Sequence, residues 1–223
     1  MVPAQDDRLN AAVYAELRKR LFIGKIAPGS ELSTRGLAGE LGVSQTPVRD
    51  ALSRLAAEGA VEIRSKRRVQ VPTMSTSRYE DLLRCRLLLE PEAAVQALPG
   101  VDGERLSRLR ESNASIERAA KHKDWEALME HNHAFHFTLY RAQEQNTLTQ
   151  LIETLWLQLG PYLRTACGTA NVAAASEQSS AGLHDAIIEA VVNKDEARLK
   201  HAIAEDISVG MRLIDRSAIC SAR

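Results

Sequence analysis

Two sets of polar side chains in this 223-residue chain have types and spacings that could do chemistry. The first is Gln45, Thr46 and Arg49, just behind Ser44. An amide and a guanidinium one turn apart can each make paired hydrogen bonds to a base edge, while hydroxyls and the free N–H groups of a helix start suit phosphate. The second set is Asn132 and His136, four residues apart, with His184 and Asp206 far along the chain. If folding brings them together, two imidazoles, a carboxylate and an amide oxygen could hold a divalent metal such as zinc or nickel. A metal-free buried polar cluster, or histidines in solvent, would use the same residues. Arg86 and Arg164 could anchor an anionic ligand inside a helical bundle. Glu90, one turn after Arg86, offers an intrahelical ion pair instead.

The first set needs a helix start presented on a small domain. A helix can begin at Ser33 or Thr34, bury Leu37, Ala38 and Leu41, and stop at Gly42. Ser44 can cap a second helix, with Pro47 in its first turn, where a missing N–H costs nothing. Val48, Ala51, Leu52 and Leu55 then form one apolar stripe, leaving Gln45, Thr46 and Arg49 on the opposite face. After Gly59, Val61 to Arg64 and Val69 to Val71 alternate as a hairpin whose tip holds Lys66, Arg67 and Arg68. Such a tip would lie on phosphates and weaken its grip as salt rises. Upstream, Leu9, Val13, Leu17 and Leu21 repeat every fourth residue in a supporting helix closed by Gly24, and Pro28-Gly29 turns the chain into the reader. The pattern is a winged helix-turn-helix that binds double-stranded DNA.

Beyond residue 77 the periodicity is helical. Helices are expected over residues 77–98, 103–122, 125–142, 147–166, 176–192 and 196–215, with a weakly patterned stretch at 168–175. Short connections make neighbours antiparallel, so the fold class is mainly α: a winged helix-turn-helix in residues 1–74, then an antiparallel all-α bundle in residues 75–223. His131 and His133 read as solvated or supporting groups, and Trp125 and Trp156 as core.

Composition agrees with two domains. Of 29 basic and 29 acidic residues, 12 and 8 fall in residues 1–74, so a basic segment of net charge +4 precedes an acidic one of −4. Aromatic residues make up only 4%, which implies an aliphatic helical core. Three scattered cysteines, Cys85, Cys167 and Cys220, suit a reducing cytoplasm, and no apolar run is long enough to span a membrane.

The motifs Pro28-Gly29 with Leu32, Leu37-Ala38, Leu41-Gly42-Val43-Ser44, Thr46-Pro47-Val48-Arg49, Ala51-Leu52, Leu55, Glu58-Gly59 and Val61 resemble the GntR transcriptional regulators. Arg86 with Glu90, Phe135-His136, Asn146, His184 and the helix carrying Asp206 extend the resemblance to the FadR-like branch, whose effector domain is called FCD. The resemblance implies a cytoplasmic homodimer whose readers take the two halves of a palindromic operator and whose bundles bind a small, often carboxylate-bearing effector. It adds Arg35 to Thr46 and Arg49 as a DNA contact, with Ser44 beside them. Gln45 stands where the family commonly has arginine, and Arg68 where the wing usually has glycine. Metal-binding members usually present an aspartate and three histidines, against Asn132, His136, His184 and Asp206 here. The expected function is a non-enzymatic, ligand-responsive regulator, a repressor released by an organic acid. A metal-dependent hydrolase fused to a DNA-targeting module and an architectural DNA-binding dimer are the alternatives.

Overall fold

A computed structural model describes residues 5–65, 68–142, 147–167 and 180–213. The supporting helix α1 (Gln5–Phe22) buries Val13, Leu17 and Leu21. Leu9, expected on the same stripe, is 40% exposed. Helix α2 (Thr34–Leu41) is capped by Ser33, whose hydroxyl accepts from the Gly36 N–H at 2.9 Å. It ends at Gly42, which takes φ +66°, a left-handed conformation that costs glycine little.

Helix α3 (Gln45–Ala57) turns Pro47, Val48, Ala51, Leu52 and Leu55 inward. Ser44 holds the cap position with extended backbone, but its side chain makes no capping hydrogen bond, contrary to the sequence expectation. Its hydroxyl does not close the helix start, and the residue is exposed. The hairpin pairs β2 (Glu62–Ser65) with β3 (Arg68–Gln70) in antiparallel register, Ile63 opposite Val69, with an irregularity before Ser65. A third strand not expected from the sequence, β1 (Glu31–Leu32), pairs with the outer edge of β3, giving the order β1-β3-β2. Leu32 and Val69 meet across that pair and are buried. Lys66 and Arg67 lie outside the described residues.

The second half is a helical bundle of α4 (Thr76–Ala97), α5 (Gly103–Lys121), α6 (Trp125–Tyr140), α7 (Thr147–Cys167), α8 (Ser180–Asn193) and α9 (Glu196–Leu213). Their ends lie close to the expected ones wherever the chain is described. Asn146, residues 168–179 and residues beyond 213 fall outside that range. Side-chain caps explain the starts: Ser75 accepts from Arg78 N, Asp102 from Arg105 N and Asp124 from Ala127 N.

One core fills the reader and a second fills the bundle. Leu157 of α7 belongs to the reader core, and Phe22 of α1 packs against both, so the halves are joined by burial. His133 sits at this join. Its ring lies 4.6 Å from Phe22, 4.3 Å from Phe137 and 5.9 Å from Trp156, centroid to centroid, so of the two readings the sequence left open, solvated or supporting, the solvated one does not hold for it. Burial, with Arg141 nearby, pushes its pKa down to about 4. Trp156 is core as expected, whereas Trp125 is only half-buried at the start of α6.

Candidate functional site

The reader surface follows from α3. With Val48, Ala51, Leu52 and Leu55 turned inward, Gln45, Thr46 and Arg49 are exposed along the opposite face. Arg35 is exposed on α2, and neither Arg35 nor Arg49 has an ion-pair partner among the described residues. Arg54, later on α3, is occupied instead: its guanidinium lies 3.8 Å from the centre of the Tyr14 ring, and Tyr14 donates to Glu58. Arg68 on the wing pairs loosely with Glu31 at 3.6 Å, both side chains being exposed. Two free guanidiniums beside an exposed helix start can contact base edges and phosphates.

Inside the bundle, three helices bring His136 of α6, His184 of α8 and Asp206 of α9 together, with one donor atom from each within 4.8 Å of the others. Asp206 Oδ2 is 3.2 Å from His136 Nε2, and Asp206 Oδ1 is 3.5 Å from His184 Nε2. Both rings are fixed from behind. Tyr140 donates its proton to Glu90 Oε2 at 2.9 Å, so its oxygen can only accept from His136 Nδ1, 3.2 Å away. Asn113 donates its amide N–H to Asp185 at 2.9 Å, which turns its carbonyl oxygen toward His184 Nδ1 at 3.1 Å. Each Nδ1 therefore carries the proton, and each Nε2 presents a lone pair.

Those lone pairs face an anion. Burial opposes ionisation of Asp206 and the Arg86 guanidinium favours it; the stronger lowering that a hydrogen bond from His136 and positive charge on His136 and His184 give belongs to the state in which the rings carry a second proton. Burial pushes the His184 pKa down to about 4. Both Nε2 atoms are buried without a hydrogen-bond partner despite their closeness to the carboxylate. With each ring singly protonated at Nδ1, the two acceptors and the carboxylate repel unless a cation, a second proton or a metal ion, lies between them. Bonds of about 2.0–2.2 Å from one ion at tetrahedral angles place two donors roughly 3.4 Å apart, close to the 3.2 and 3.5 Å between Asp206 and the two rings. The donor set fits a divalent metal. Asn132 lies one turn before His136 and is half-buried.

Arg86 is buried beside this cluster but is already engaged. Its Nε is 2.5 Å from Glu90 Oε1, a terminal nitrogen is 3.4 Å from Oε2, and its guanidinium lies 4.8 Å from the centre of the Trp156 ring. The intrahelical ion pair left open by the sequence is thus present. Arg164 stands apart, with its Cβ packed on Gly24 where α7 meets the end of α1. Sequence reasoning missed Tyr140, Asn113 and Asp185. Tyr140 was legible one turn after His136 and Asp185 directly follows His184, but nothing local links Asn113 to His184.

Comparison with known proteins matches residues 9–71 to the model described as bacterial regulatory proteins, gntR family, and residues 81–208 to the FCD domain. The HTH-type transcriptional regulator McbR of Escherichia coli K12 is 29% identical over 197 residues, covering 88% of each chain. The Exu regulon transcriptional regulator of the same strain is 26% identical over 215 residues, 88% of this chain and 80% of the relative. The solved structure of E. coli McbR/YncC superposes with a TM-score of 0.88 at 27% identity, covering 98% of this chain and all of the other. A GntR regulator from Rhodococcus sp. RHA1, at 20% identity and a TM-score of 0.69, shares the fold.

Proposed function

Since the chain belongs to the gntR family of bacterial regulatory proteins and carries that family's FCD domain over more than half its length, we propose that it works as a homodimeric repressor that releases its operator on binding a small carboxylate. In this reading a divalent ion such as zinc or nickel sits in the bundle, held by His136, His184 and Asp206, with Asn132 adding a neutral oxygen. The observation that carries it is the pair of buried, unpartnered Nε2 lone pairs facing Asp206. Buried charge is costly unless neutralised. Arg86 and Glu90 cancel, leaving Asp206 as one net negative charge, and a divalent ion would turn that into one net positive charge. A monoanion restores neutrality, and a carboxylate meets that requirement. When bound, the metal supplies an electrophilic point of attachment for that carboxylate. This chain's own residues orient the donors and exclude water.

On the DNA side, Gln45, Thr46 and Arg49 read base edges. Arg35, Ser44 and the wing residues Lys66, Arg67 and Arg68 hold phosphates. Two copies related by a twofold axis place two readers on a palindrome, as a cytoplasmic regulator requires. Among the described residues, Glu90, the fully buried carboxylate beside the cluster, is taken by Arg86 and Tyr140 and is not free to act as a hydrolytic base.

The test is elemental analysis with Zn2+ titration of the chelator-treated protein. About one ion per chain is expected, falling sharply in His136→Ala and His184→Ala. Unchanged metal content in both variants would overturn the ligand set.

A further inference from the structure

One turn of α7, from Trp156 to Gly160, touches both halves of the molecule. The Trp156 ring is 5.2 Å from the His136 ring and lies beneath the Arg86 guanidinium, so it borders the polar cluster directly. The next residue, Leu157, is fully buried in the reader core. Gln158 donates its side-chain N–H to the Glu58 carbonyl oxygen at the end of α3, at 2.8 Å. Gly160 lies against the last turn of α1 so closely that a Cβ there would come within 2.3 Å of Leu21 O and 2.5 Å of Phe22 O. From the other side, His133, one turn before His136, rests on Phe22 and meets the Trp156 ring edge-on.

These contacts run without a break from the polar cluster to the last turn of α1. A packed interior shifts between discrete arrangements rather than yielding continuously. A helix turn with its neighbours seated in two cores carries a displacement at one end to the other. α1 in turn supports the reading helix through Tyr14, which holds both Glu58 and Arg54. The Trp156 indole N–H is itself buried and without a partner, so the ring is held by its faces and edges rather than pinned by a hydrogen bond.

We propose that Trp156 is the positioning residue through which the state of the polar cluster reaches the reader, with the Trp156–Gly160 turn of α7 as a rigid lever against the end of α1. This rests on the metal reading of the cluster, so the test separates the two. Metal-free protein is titrated with Zn2+ alone, and backbone hydrogen exchange is followed in wild type, Trp156→Phe and Gly160→Ala. Wild type is expected to slow its exchange near the cluster in α6 and α9 and also remotely, over Lys19–Ile23. Trp156→Phe should keep Zn2+ affinity within about twofold and the change near the cluster, yet lose at least four-fifths of the remote change. Gly160→Ala, a residue outside the cluster, should do the same by wedging the α1 contact. If Trp156→Phe does not fold, Gly160→Ala decides by the same criterion. A remote response as large in the variants as in wild type, or a wild-type response confined to the cluster, overturns the lever while leaving the metal site standing. No exchange change anywhere, with no Zn2+ bound, overturns the metal reading and the lever with it.

Discussion

Replacing Tyr140 by phenylalanine removes a single oxygen and leaves the ring in place. That oxygen accepts from His136 Nδ1 at 3.2 Å and donates to Glu90 at 2.9 Å, in a fully buried setting. The first bond is worth about 1 kcal/mol and the second, to a carboxylate, about 1.5–3 kcal/mol, so the metal-free variant should lose roughly 2–4 kcal/mol of stability. Metal binding suffers separately, because the imidazole loses the partner that fixes its tautomer. Removing such an outer hydrogen bond typically weakens metal affinity about 10–100-fold. At free metal a thousandfold above the wild-type Kd, binding stabilises the fold by about 4.1 kcal/mol, whereas a hundredfold weaker site keeps only about 1.4 kcal/mol under the same conditions. Thermal melts with and without Zn2+, alongside a chelator-competition titration, read both quantities. A folded Tyr140→Phe protein with wild-type Zn2+ affinity and an undiminished metal-induced rise in Tm would refute the reasoning that places a lone pair on His136 Nε2.

Arg49→Ala should weaken binding to the specific operator by about 1–3 kcal/mol and leave binding to unrelated duplex unchanged, as measured by fluorescence anisotropy. Gly42→Ala places a side chain at φ +66° with open space around it, so its cost is backbone strain alone, about 1–2 kcal/mol in urea unfolding. Burial would push the Glu153 carboxyl up, but Arg141 and Arg18 outweigh it and hold its pKa below 4.5. The stability this contributes is therefore complete above the ordinary glutamate range and lost as pH falls through the lowered value. Glu153→Gln should be less stable than wild type by about 1–3 kcal/mol at pH 7, with the gap closing in melts at lower pH.

Periodicity made the reader legible. Val48, Ala51, Leu52 and Leu55 could share a face only on a helix, and that face fixed where Gln45 and Arg49 had to point. β1 escaped because two residues have no period, and its pairing with β3 comes from chain return rather than local preference. Ser44 illustrates the limit of capping rules: its backbone conformation suits a cap, while its hydroxyl makes no bond to the helix. In the bundle, His136, His184 and Asp206 were identifiable by residue type, but the tautomers that give the cluster its meaning depend on Glu90 and Asn113 from other helices. His133, read as solvated or supporting, meets the same limit: Phe137 on its own helix is near in sequence, but Phe22 and Trp156, which also pack on it, come from α1 and α7.

The most direct test of the account is selection of duplexes from a random library by the purified protein, followed by anisotropy titration of the enriched sequence with wild type and Arg49→Ala. The account predicts enrichment of a palindrome, bound about a thousandfold or more tighter than unrelated DNA, with most of that preference lost in the variant. A library that emerges without a shared sequence, or an enriched duplex that Arg49→Ala binds as well as wild type, would contradict it.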